Sequence, residues 1–155
     1  MKKLITIAFV LFSNFTIAQE RLISINNDSL KLNYFNVYNQ IISNNIEFAD
    51  IVFCQAILES GHFKSKVAKY NNNLFGMRHP KKRITKSKGS RYKYAFFDSW
   101  VESVIDYKLW QNNFLKNKKI SRKDYMDYIE KKYCGYSNYL NNLNKIHRKY
   151  NYMFK

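Results

Sequence analysis

The chain has 155 residues, room for one domain with a real core and too few for two. Lys and Arg number 27 against 11 Asp and Glu, a formal net charge of +16, so an anionic partner is expected. The three histidines, His62, His79 and His147, are scattered without ligand spacing, so no metal centre and no other cofactor is expected.

Residues 1–18 read as a secretory signal peptide. Lys2 and Lys3 form a basic start, Leu4 to Phe12 an apolar run, and Thr16-Ile17-Ala18 a small-residue cleavage site. The apolar run is too short to span a bilayer, and no other stretch could cross one. The expectation is an exported monomer in the periplasm or cell envelope, or secreted, without stable membrane insertion after cleavage. Export argues against nucleic acid as the partner. The charge instead suits cell-wall polymer, lipopolysaccharide or another anionic envelope surface, with part of the lysine read as solvated surface.

A lead-in segment over 19–33 offers N-cap candidates at Asn26, Asn27, Asp28 and Ser29. A helix over Tyr34 to Ser43 follows, with Tyr34, Val37, Tyr38, Ile41 and Ile42 at helical spacing. The next helix, from about Phe48 to Ser60, is apolar on most sides through Ile51, Phe53, Cys54, Ile57 and Leu58. Gly61 is its natural stop, because glycine enters the left-handed region without steric cost. Glu59 thus falls in the last turn, at the negative end of the helix dipole and among apolar neighbours. Both effects favour the protonated form, and a carboxyl protonated near neutral pH can act as a general acid.

Ser65 to Tyr70 reads as a short helix with Val67 and Ala68 turned inward. Asn71-Asn72-Asn73-Leu74-Phe75-Gly76 reads as a turn with two apolar anchors. From Arg78 to Lys93 the chain is intensely basic. Tyr92, Tyr94 and Phe96 alternate in strand fashion, which predicts a β-hairpin with its turn within Lys86 to Ser90. Ser99 and Glu102 have capping-box spacing ahead of a helix whose face is outlined by Val101, Val104, Ile105, Lys108 and Leu109. Ser121 to Asp124 opens a helix to about Lys132, and a last helix runs from Ser137 to about Tyr150 with Leu140, Leu143 and Ile146 inward. Cys54 and Cys134 allow one disulfide in an oxidising compartment, and an ordinary buried thiol at Cys54 is equally compatible.

Three motifs fall in order along this chain. They are Gln55-Ala56-Ile57-Leu58-Glu59-Ser60-Gly61, then Ser65-Lys66-Val67-Ala68, then Asn72-Asn73-Leu74-Phe75-Gly76. Together they resemble the glucosaminidase family, the lysozyme-like peptidoglycan-cleaving domain of autolysins and flagellar rod-cap muramidases. The resemblance covers roughly residues 34–152. His62-Phe63 stand where the family usually has Trp-Gly, and the middle of Tyr133 to Tyr139 departs from its Tyr-Ala-Thr-Asp-Pro-x-Tyr.

The resemblance implies an α+β, predominantly α, lysozyme-like helical domain with a small β-hairpin lobe. It implies a peptidoglycan hydrolase cutting a β-1,4 bond as an endo-N-acetylglucosaminidase or muramidase. Glu59 is the implied acid and Tyr133 the second catalytic candidate. Asn72, Asn73, Phe75, Tyr94 and Tyr136 are the implied substrate contacts. Many relatives carry a second carboxylate in the β-lobe, but here no Asp or Glu occurs between Glu59 and Asp98. The second group is then the substrate's own acetamido group, a carboxylate outside the lobe such as Asp98, or absent in a protein that only binds glycan.

Overall fold

The computed structural model describes residues 30–116, 118–131 and 138–155, with the backbone alone at 132 and 133. Leu32 to Lys155 form one compact unit. The proposed signal peptide, the N-cap candidates at 26–29, and Cys134, Tyr136 and Ser137 lie outside the described residues.

Helix α1 spans Tyr34–Ser43, α2 Ala49–Glu59, α3 Lys66–Asn71, α4 Trp100–Leu115, α5 Arg122–Tyr133 and α6 Tyr139–Tyr150. A two-stranded antiparallel sheet, β1 Gly89–Arg91 and β2 Tyr94–Phe96, sits between α3 and α4 in sequence. The chain is therefore predominantly helical with a small hairpin, as expected.

Helix α2 is the axis. Seven consecutive residues, Ile51 to Ile57, are buried, which suits a helix wrapped on all sides. It packs against α6 and α1. Phe53 meets Tyr34 and Tyr38 of α1 and Tyr150 of α6 edge-on, at centroid separations of 5.4–6.4 Å. Cys54 is a buried thiol pushed up to about 12, chiefly by burial.

The helix starts are built by side chains. Asn33 caps α1 by accepting from the Asn36 amide at 2.8 Å. Ser65 does the same for α3, and Ser99 for α4 at 3.3 Å from the Glu102 amide. Glu102 reaches back to the Asp98 amide at 3.0 Å, one residue earlier than in the usual capping box.

Several faces differ from expectation. Ile42 is 49% exposed, because the inward stripe of α1 is only Val37 and Ile41. On α4 the buried stripe includes polar Ser103, Asp106 and Gln111, while Ile105 and Leu109 stay half-buried. The hairpin turn is not within Lys86 to Ser90. It is Tyr92-Lys93, both left-handed at φ 55° and 67°, and Gly89 instead pairs with Phe96 in the ladder. A lysine ammonium, that of Lys66, lies 4.4 Å from the Tyr92 ring centroid and braces this turn.

The basic segment ahead of the hairpin is pinned rather than loose. Asp106, fully buried on α4, accepts from both Arg83 amino groups at 3.0 and 2.6 Å, from Thr85 Oγ1 at 2.6 Å and from the Lys86 amide at 2.9 Å. Four donors satisfy a carboxylate that burial alone would penalise heavily. Arg83 is therefore spent on the fold and is not part of a cationic surface.

Candidate active site

Glu59 is the last residue of α2. The helix ends as the sequence requires. Gly61 takes φ +57°, the Gly61 amide reaches Leu58 O at 3.2 Å, and the His62 amide reaches Ile57 O at 2.8 Å. That double bond is the Schellman arrangement. His62 and Phe63 continue in the left-handed region at 58° and 65°. Ser60 holds the curl, donating to Ala56 O at 2.5 Å and accepting from the Phe63 amide at 2.9 Å. The chain thus reverses just beyond Glu59 and leaves its side chain at the rim of the buried helix.

Across from Glu59 lies the third motif. Gly76 takes φ +61°, and a Cβ built there would stand 3.6 Å from Glu59 Oε2. Glycine gives this backbone both its left-handed turn and a bare approach to the carboxyl. The turn is held by its asparagines. Asn73 Nδ2 donates to Met77 O and Ala95 O at 2.8 and 2.9 Å, and its Oδ1 accepts from the Phe75 and Met77 amides, each at 3.2 Å. Asn72 Nδ2 donates to Phe97 O and Asp98 O, both at 3.0 Å. Asn71 Nδ2 donates to Arg91 O at 2.7 Å, which ties α3 to the hairpin.

These contacts correct two expected substrate contacts. Asn73 is 1% exposed with both ends of its amide committed, so it serves the turn. Phe75 is fully buried with its ring 4.4 Å from that of Tyr107, so it has no surface to offer a ligand. Asn72 remains half-buried as the left-handed C-cap of α3. Tyr94 is 37% exposed on β2. Tyr136 and the Tyr133 side chain lie outside the described residues.

Burial pushes Glu59 up to about 6, and a hydrogen bond from the Tyr139 hydroxyl holds the rise in check. Tyr139, the first residue of α6, is 3% exposed. In sequence it is only the final tyrosine of the Tyr133 to Tyr139 stretch. Behind it Gln55 Nε2 donates to the Tyr139 oxygen at 3.1 Å, and Gln55 Oε1 accepts from the Tyr107 hydroxyl at 2.6 Å. Gln55 was legible as part of the first motif. It lies four residues before Glu59, on the same helix face.

Asp98 does not join this group by any described contact. Its side chain is 64% exposed and pairs with Lys88 at 3.0 Å. Among the described residues no three His, Cys, Asp or Glu side chains gather as a metal site. The histidines are engaged separately, His62 with Tyr34 at 3.1 Å, His79 with Ser87 at 3.1 Å and His147 with Asp50 at 2.8 Å. A single protonated carboxyl beside a bare glycine backbone can donate a proton to a leaving oxygen.

The fold has a solved counterpart. The catalytic domain of the autolysin Auto from Listeria monocytogenes matches with a TM-score of 0.54 at 20% identity, over 88% of this chain and 95% of that one. Protein bax of Escherichia coli (strain K12) is 46% identical over 57 residues, 37% of this chain. That match spans about a fifth of Protein bax (21%). The family model Glucosaminidase, described as mannosyl-glycoprotein endo-beta-N-acetylglucosaminidase, matches residues 33–152, and the chain belongs to this glucosaminidase family.

Proposed function

We propose that the protein hydrolyses peptidoglycan, cleaving a β-1,4 bond of the glycan strand as an endo-N-acetylglucosaminidase or muramidase, with Glu59 as general acid. The observation that carries this reading is the Glu59 carboxyl at about 6, set against the bare backbone of Gly76. An ordinary glutamate would be almost fully ionised at neutral pH, whereas one near 6 keeps a useful protonated fraction. Membership of a glycosidase family and likeness to an autolysin catalytic domain support cell-wall glycan as the substrate.

The hairpin lobe brings no carboxylate, and Asp98 is exposed and paired with Lys88. The reading is therefore substrate-assisted. The 2-acetamido oxygen attacks the anomeric carbon as the glycosidic bond breaks, and Glu59 delivers its proton to the leaving oxygen. Water then opens the oxazolinium with Glu59 as base. Tyr133, at the end of α5, is assigned to stabilising positive charge at the sugar. Asn72 and Tyr94 are assigned to substrate contact. Export by residues 1–18 places the enzyme in the periplasm or envelope, where it works without a cofactor.

The test is mass spectrometry of muropeptides after digestion of purified peptidoglycan. Release of new reducing ends is expected, and the sugar at that end identifies the bond. Binding to the wall without new reducing ends would overturn the reading in favour of a peptidoglycan-binding module.

A further inference from the structure

A line of buried side chains runs from the acid to the opposite side of the core, and its hydrogen bonds have one direction. At the far end Gln111, fully buried on α4, clasps a backbone segment 64 residues away. Its Oε1 accepts from the Glu47 amide at 2.9 Å and its Nε2 donates to Glu47 O at 3.0 Å. An N–H can only donate and a C=O can only accept, so the Glu47 peptide fixes which way the Gln111 amide faces.

The rest follows link by link. Gln111 Nε2 also donates to the Tyr125 oxygen at 3.3 Å. The Tyr125 hydroxyl is then free to donate to the Tyr107 oxygen at 2.6 Å. Tyr107 donates onward to Gln55 Oε1 at 2.6 Å, which orients the Gln55 amide. Gln55 Nε2 donates to the Tyr139 oxygen at 3.1 Å. Tyr139 also hydrogen-bonds the Glu59 carboxyl and lowers its proton affinity, as a donor does. Tyr107, Tyr125, Gln55 and Gln111 are each fully buried, so water does not compete for these groups.

We propose that Tyr139 is a positioning residue for the acid and that Tyr107, through Gln55, sets the direction of its hydroxyl. The inference rests on Glu59 being the general acid. The array is not a proton wire, because carboxamides at Gln55 and Gln111 interrupt any relay of hydroxyl protons. It orients. Gln55, held by Tyr107, shows Tyr139 its amide N–H and not its oxygen, so the Tyr139 proton is not drawn back to Gln55. Glu59 is met by Tyr139 from α6 and by Gly76 from the turn, and Gln55 lies one turn back on α2, so the tyrosine is the titratable group facing it in these contacts.

The experiment is the pH dependence of wall lysis, and the NMR titration of the Glu59 carboxyl, in Tyr139→Phe and Tyr107→Phe. Both exchanges keep the ring and its packing. Losing the donor to the carboxylate should move the alkaline limb of activity upward by about one pH unit in Tyr139→Phe. A shift of roughly half that is expected in Tyr107→Phe, because the released Gln55 amide can turn its oxygen to Tyr139. The carboxyl titration should move alike. Lower rate or melting temperature with the limb and the carboxyl titration unmoved would overturn the proposal, because a purely structural role predicts that result. If Tyr107→Phe fails to fold, Tyr139→Phe alone decides, since its carboxyl titration is read without activity. A wild-type enzyme with no alkaline limb and an active Glu59→Gln variant would instead sink the general-acid reading itself.

Discussion

The two ends of α2 hold two carboxylates under opposite conditions. Asp50 stands in the first turn, where the helix dipole is positive. Burial alone would raise it, but Arg122 of α5 and His147 of α6 bond its oxygens, at 2.6–3.1 Å and 2.8 Å, and hold it below the usual aspartate range. Glu59 stands in the last turn, without a cation among its described partners, and burial pushes it up to about 6. One helix thus carries a carboxylate that stays ionised and joins three helices, and a carboxyl that keeps a protonated fraction near neutral pH. Such a separation marks which group can donate acid. The buried Asp106 adds a third case, a carboxylate whose four donors make burial tolerable and whose role is to fasten a loop.

The comparison can be broken most sharply at the Glu59 end, where catalysis is proposed. Glu59→Gln should lower wall lysis by about 10³-fold while the circular-dichroism spectrum stays native, because it removes the proton and little else. Asp106→Ala should cost about 3–5 kcal/mol in denaturant unfolding, since it strands the Arg83 guanidinium, itself only 10% exposed, against a fully buried partner position. Activity per folded molecule should change less than stability.

Smaller effects test the sign of each carboxyl's contribution. A carboxyl raised in the folded state binds its proton more tightly there than in the unfolded chain. Stability contributed by that proton is therefore lost as pH rises through about 6. Glu59→Gln should accordingly be more stable than wild type at pH 8, by about 1–2 kcal/mol, and nearly equal to it at pH 4. Asp50 is the mirror case. Its contribution is present above the unfolded aspartate value and fades as pH falls through its lowered one. Asp50→Asn should cost about 1 kcal/mol at neutral pH, because Arg122 is half-exposed, and the difference from wild type should shrink in acid. Activity near the native level in that variant would sharpen the division of labour along α2.

Much of this was legible in the sequence. The α2 apolar run, its glutamate and Gly61 predicted the helix, its end and a raised carboxyl together, because glycine conformation and apolar spacing are local properties. The caps at Ser99 and Ser121 were readable for the same reason. The hairpin turn was not. Gly89-Ser90 looked like the turn, but ladder register decided otherwise and forced Tyr92 and Lys93 into the left-handed region. Asn73 and Phe75 were motif residues whose surroundings the sequence could not show, and tertiary contacts made them frame rather than surface. Tyr139 lies 80 residues from Glu59 in the chain, and only the docking of α6 on α2 brings its hydroxyl to the acid. Local chemistry thus announced the raised carboxyl, and long-range packing supplied its partner.

The direct measurement is a ¹³C NMR titration of the Glu59 and Asp50 carboxyls in one sample of the folded protein. Glu59 should titrate at about 6 and Asp50 below the usual aspartate range. Two carboxyls titrating together near 4, as exposed side chains do, would contradict the account.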